Sequence, residues 1–325
     1  MNEIAIIVKQ IIILTLLGIT GFVAAKRNIL PEESQKHISA LIIKITTPFL
    51  IFTTMGSYSF TRDTLKNGVY IFAFGIVFIL IAGLISLAPC KVMGIKDKAR
   101  NIYIAQSMFG NVIFMAYPLL EAMYGKTGIL YAIFYNLSND AILWTLGVYL
   151  FNKHNSNSWK ENLSHLINPN TLAFVGGIIL IALKSYFRIG EISVYNAVWD
   201  VFYTTFNGLG KTTIYISMIF IGMLLANTKI SGVKDVLSRT RYLVLSIFKL
   251  LIVPAIAIVF FRLTNNYFDK FVKIIVVLQL AMPSSTVVSA LALQYDSDYN
   301  AATESIFVST ILSIFTLPII VYLLV

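Results

Sequence analysis

Apolar runs of about 20 residues recur along the whole chain, separated by short polar connectors. That length is what a helix needs to cross the hydrocarbon core of a bilayer. The pattern predicts ten spans, at roughly 4–24, 38–57, 67–90, 101–122, 129–151, 170–187, 198–227, 242–262, 271–293 and 301–324. The fourth, seventh and ninth carry more polar residues and glycine than a lipid-facing helix would choose. One long polar stretch, Asn152 to Asn168, has no run of spanning length. It divides the chain into residues 1–151, a polar connector 152–169, and residues 170–325. Pro169 falls where the next helix begins, a position that tolerates a missing N–H.

Five spans return the chain to the opposite face, so the second half is expected to enter the membrane inverted. The expected fold class is therefore all-α integral membrane: ten transmembrane helices as two inverted five-helix repeats, an arrangement used by many secondary transporters. Connectors after odd-numbered spans hold thirteen Lys and Arg residues, against nine on the other side. The positive-inside rule then puts both termini outside the cytoplasm, in a multi-pass protein of the cell membrane. The opening Met1-Asn2-Glu3-Ile4 lacks a charged region and a cleavage site, and reads as the start of the first span.

The fourth spans of the two halves share an unusual feature. One reads Phe109-Gly110-Asn111 through Met115 to Pro118; the other reads Gln279-Leu280-Ala281-Met282-Pro283-Ser284-Ser285-Thr286. A proline inside a helix cannot donate its backbone bond, so Pro118 is expected to free the carbonyl of Phe114, and Pro283 that of Gln279. In hydrocarbon such breaks survive only inside protein or beside water. The N-terminal ends of half-helices suit an anion, because their N–H groups are free and their dipole is positive. Two crossing breaks at the midplane make a site for a carboxylate. A simpler alternative, kinked packing helices, stands beside this, since Pro48, Pro254 and Pro318 also lie inside spans.

Composition agrees with lipid as the solvent. Hydrophobic residues are 58% and charged residues 12%, with mean hydropathy +0.80. The net charge of +10 comes from single basic residues between apolar runs, without a stripe or stacking motif, which argues against nucleic acid. Cys90 is the one cysteine, and His37, His154 and His165 all fall in connectors, so no disulfide or metal centre is expected.

At the two broken spans the sequence resembles the auxin efflux carrier family, which holds plant PIN-FORMED carriers and bacterial organic-acid permeases. Gly110-Asn111, Met115, Pro118-Leu119-Leu120 and Tyr124-Gly125 are similar to the family's first crossover helix. Met282-Pro283 with Ser284-Ser285-Thr286 is similar to its second. Leu41 to Met55 with Pro48, Leu209-Gly210 with Gly222, and Ser309-Thr310 with Leu317-Pro318 resemble the second, seventh and tenth helices. The bacterial members look nearer, because the long hydrophilic loop of many plant carriers is absent. The resemblance implies a scaffold part (helices one, two, six and seven), a transport part (the rest), elevator-like movement and a homodimer. It matches Asn111, Pro118 and Pro283 to substrate-site positions. Gln279, Ser284, Ser285, Thr286 and Ser289 can orient carboxylate oxygens. That hydroxyl-rich second crossover favours a malate- or malonate-like substrate over an auxin-like aromatic carboxylate.

Ionisable residues at depth are functional candidates by default. Asp140 follows Asn136 by one helical turn and Asn139 by one residue, in the fifth span. It can bind a coupling proton or sodium ion, or be a structural carboxylate paired with a lysine. Glu304 is its counterpart in the tenth span, and Glu121 follows Pro118 by three residues. Lys44 and Lys249 can snorkel, and Lys211 can approach the substrate. No other cofactor is expected. A membrane receptor that binds without transport is the rival class. An enzyme is disfavoured, since no paired aspartates in a protease motif, Ser/His pairing or histidine cluster is visible.

Overall fold

The computed structural model describes residues 3–58, 61–152, 167–187, 193–227, 239–264 and 267–324. Most of the polar connector, and Arg188, Lys229 and Lys234 of the charge count, lie outside these. Among the described residues the regular elements are all helices. The helices are α1 (Glu3–Lys26), α2 (Ser34–Gly56), α3 (Arg62–Val92), α4 (Asp97–Met108), α5 (Tyr117–Ile142) and α6 (Val148–Asn152). They continue as α7 (Pro169–Phe187), α8 (Ser193–Asn227), α9 (Thr240–Leu263), α10 (Lys270–Leu280), α11 (Thr286–Gln294) and α12 (Tyr299–Leu324).

Five of these stretches are long and apolar enough to cross a membrane: Ser34–Gly56, Arg62–Val92, Tyr195–Asn227, Thr240–Leu263 and Tyr299–Leu324. Ile12–Lys26 and Pro169–Lys184 are shorter apolar helices. Large apolar side chains cover the outside, among them Leu16, Val69, Leu84 and Phe315, each more than half exposed. An apolar rim of this extent is costly in water and natural in lipid.

Local chemistry sets the helix ends. Thr61 Oγ1 accepts from the N–H of Thr64 at 3.1 Å and starts α3. Asp269 Oδ1 accepts from the N–H of Phe271 at 2.7 Å and starts α10. Each is a side chain satisfying one orphan donor of the first turn. Beyond α3 the chain turns at Gly94, whose φ of 64° suits a residue without Cβ.

Three of the prolines within helices follow widened π turns. These are Ile42–Thr46 before Pro48, Val112–Ala116 before Pro118, and Phe248–Ile252 before Pro254. A π turn moves the carbonyl that the pyrrolidine ring would otherwise strike, so the helix passes through the proline. This corrects the expectation for Pro118. The helix continues through it into α5, and the interruption lies upstream at Gly110 and Asn111. The predicted fourth and fifth spans then meet at Gly125, where φ is 57° and ψ −142°.

The packing falls into two groups. α1, α2, α7 and α8 pack together, and α3, α4, α5 and α9 to α12 pack together. Between α1 and α8 the backbones touch. A Cβ at Gly222 would overlap the carbonyl of Gly18, and one at Gly21 would overlap that of Ile219. The segment Val112–Ala116 and α5 join the two groups, through contacts with α8 and α1.

Candidate substrate site

Two interrupted helices meet in the interior. The first break runs from Phe109, which is extended (φ −95°, ψ 127°), to Asn111 (φ −80°, ψ 67°). With Val112 N–H donating to the Gly110 carbonyl at 2.9 Å, Asn111 is the centre of an inverse γ-turn. The second break runs from Ala281 to Ser285, between α10 and α11, and Pro283 sits inside it. The breaks are bonded to each other. Asn111 N–H donates to the Pro283 carbonyl at 2.8 Å, and Gly110 pairs with Ser284 in an isolated antiparallel bridge. Glycine at 110 permits this approach, because a Cβ there would lie 3.2 Å from the Gln279 carbonyl oxygen.

The surrounding polar groups divide into structural ties and free groups. Ser284 is tied twice: its N–H donates to Ser309 Oγ at 3.0 Å and its hydroxyl to the Gln106 carbonyl at 3.3 Å. Gln106 Nε2 donates to the Ala302 carbonyl at 3.1 Å. Ser285 Oγ accepts from Val287 N–H at 3.3 Å, capping α11. By contrast, Asn111 and Gln279 are each 1% exposed, and neither the oxygen nor the nitrogen of either amide has a protein partner. The hydroxyls of Thr286 and Thr310 are also buried and unpaired. Each such group costs about 1–3 kcal/mol when left unsatisfied. Buried groups left without partners in this way call for an explanation outside the protein's own hydrogen bonds.

Met115 and Thr310 also line a cavity of about 220 Å³ walled by α1, α8 and α12. Its other walls are chiefly carbon, including Leu14, Leu119, Met218 and Leu317. Ser313 Oγ lies 4.0 Å from Met115 Sδ. Pro118 is buried at the second position of α5, two residues past the widened segment.

Asp140 lies in the second half of α5. Asn136 Nδ2 donates to its Oδ2 at 3.3 Å, and Asn139, also buried, keeps an unpaired oxygen. Among the described residues Asp140 has no cationic partner within ion-pair distance, so the lysine-paired alternative has no support there. It lies in electrostatic range of the Tyr117 hydroxyl, which is fully buried and unpaired. Glu304 instead forms an ion pair with Arg239 at the start of α12. Lys44 and Lys211 are exposed, while Lys249 is buried and donates to the Ser107 carbonyl at 3.1 Å. Among the described residues no group of three or more His, Cys, Asp and Glu is placed to hold a metal.

Sequence reasoning missed Gln106, Tyr117, Ser309 and Thr310 as site residues. Ser305, Ser309, Thr310 and Ser313 fall on neighbouring turns of α12, and that hydroxyl stripe was the available signal.

Helices broken in the interior, with buried unpartnered amides at the crossing, are an arrangement that membrane transporters use. The family model described as membrane transport protein matches residues 6–321, and the chain belongs to that family, the one that includes the auxin efflux carriers. An uncharacterized transporter of Methanocaldococcus jannaschii is 26% identical over 317 residues, covering 95% of this chain and 96% of that one. One from Methanothermobacter thermautotrophicus is 24% identical over 318 residues, covering 96% and 95%. One from Saccharomyces cerevisiae is 23% identical over 183 residues, or 50% of this chain and 41% of its own.

Proposed function

We propose that this transporter carries a small organic anion, of the malate or malonate class, held where the two broken helices cross. The observation that carries this reading is the pair of buried, unpartnered amides of Asn111 and Gln279 at the junction. Their NH2 groups are donors, and a carboxylate offers four lone-pair sites. The start of the helix after Asn111, and the start of α11 after Ser285, add positive dipole ends. Thr286 supplies a further hydroxyl. In this reading Ser284 and Ser285 shape the site through the backbone, and Met115 and Pro118 form its wall.

The ten crossings are arranged as two inverted repeats, with both termini extracytoplasmic in the cell membrane. The group α1, α2, α7 and α8 serves as scaffold, and the other group carries the anion across by an elevator movement. A homodimer is the working unit. Asp140, with Asn136 and Asn139, binds the coupling proton or sodium ion. Its carboxylate has only neutral hydrogen-bond partners among the described residues, which leaves room for a cation.

Purified protein in liposomes tests this. Labelled malonate or malate should accumulate or exchange in vesicles with the wild-type chain. Asn111→Ala and Pro283→Ala should abolish that flux while the protein stays folded in detergent. Flux equal to wild type in both variants would overturn the reading.

A further inference from the structure

The last turn of α4 ends at the first break, so the carbonyls after Ala105 lack helical partners. The structure supplies partners one by one. The Ala105 carbonyl accepts the last helical bond, from Phe109 N–H at 2.9 Å, whereas that of Gln106 accepts from the Ser284 hydroxyl. The Ser107 carbonyl accepts from Lys249 Nζ at 3.1 Å. Lys249 reaches it from the π turn Phe248–Ile252, with 2% of the residue exposed. Among the described residues the ammonium has no carboxylate partner within ion-pair distance. This is a buried lysine whose anchor is the negative end of a half-helix.

Exchangeable cations in transporters with broken helices commonly sit at such C-terminal ends and unwound carbonyls. We infer that the Lys249 ammonium is a tethered cation in that place, holding Ser107 and the first break in position so that the crossing binds its anion without sodium there. This rests on the anion reading above and leaves Asp140 as the place for a coupling ion. Three points favour it. The ammonium is compact and its stem is long enough to lie in apolar surroundings. Ser107 lies four residues before Asn111, so displacing it moves the γ-turn that aims the free amide. The charge also adds to the two helix N-termini in drawing an anion. Lys249 is a positioning residue in this account.

Three full-length proteins in detergent test it: wild type, Lys249→Met, which fills the space without charge, and Lys249→Ala, which leaves space for a small cation. Thermal stability is read in choline, sodium and methylammonium chloride, without and with malonate. We expect wild type to respond alike to the three salts. Lys249→Ala should melt several degrees lower in choline and regain most of that loss in methylammonium or sodium. Lys249→Met should gain nothing from any cation. In malonate, Lys249→Met should bind about tenfold or more weakly than wild type. Lys249→Ala melting identically in all three salts would overturn the inference, whether or not wild type binds malonate. Wild type failing to bind any carboxylate, with the cation rescue intact, would sink the anion reading and leave the tethered cation standing.

Discussion

The backbone N–H of Asn111 donates to the carbonyl of Pro283 at 2.8 Å, so the two broken helices, 172 positions apart along the chain, are one unit at their crossing. The Asn111 side chain meanwhile has no partner, although its residue is 1% exposed. A residue with a satisfied backbone and an unsatisfied amide is held in place while its chemistry is left open. That division of roles decides most of the expected mutant behaviour.

Asn111→Ala is expected to separate function from stability. Removing an unpartnered buried amide is neutral or stabilising by ~1 kcal/mol. Uptake of labelled malonate should fall about 100-fold or more, since the lost contacts are those made only to the solute. Melting in detergent and flux in vesicles check the two halves together. Gln279→Leu should behave the same way.

Gly110→Val should do the reverse of a site mutation. Its side chain would meet the Gln279 carbonyl and Met282 Cβ at 3.2 and 3.3 Å, before any branch is added. Forcing the breaks apart should cost ~1–3 kcal/mol, read as a lower melting temperature. Unchanged stability would show that the crossing is looser than its backbone bonds indicate.

Asp140→Asn should uncouple rather than block. Exchange of internal for external anion should persist, whereas accumulation driven by a proton or sodium gradient should disappear. Applying each gradient singly to the wild type identifies the ion. If the variant still concentrates solute up to the wild-type level, Asp140 is not the coupling group.

Glu304→Gln removes the partner of Arg239. Both side chains are partly exposed, so the stability change should stay within ~1 kcal/mol. Gradient-driven uptake should continue. Loss of driven uptake with exchange retained would move the coupling role from Asp140 to Glu304.

Much of this was legible in the sequence, and the reasons differ by feature. Five of the ten expected spans, the second, third, seventh, eighth and tenth, recur as helices long and apolar enough to cross a membrane, because apolar run length is what the lipid solvent enforces. The second break was found because Pro283 falls inside it, among Ser284, Ser285 and Thr286. The first was found through the wrong residue. Pro118 is absorbed by the widened turn Val112–Ala116, and the interruption belongs to Gly110 and Asn111. Period and composition do not reveal a π turn, because it arises from a clash relieved in three dimensions. Lys249 illustrates the same limit. A lysine in an apolar run reads as a snorkelling side chain until the carbonyl of Ser107, 142 positions away, is seen beside it. Which hydroxyls are free and which are tied was equally hidden, since Ser284 and Thr286 look alike on paper.

Gly18, Gly21 and Gly222 bring α1 and α8 so near that main chain rests on main chain. Such a seam is a ratchet: shifting either helix lengthwise by one residue demands that the pair first part. The neighbouring wall, of Leu14, Leu119, Met218 and Leu317, is instead a bed of pliable hydrocarbon around a void. Lengthwise slip would therefore meet less resistance along that greased face than along the toothed pair.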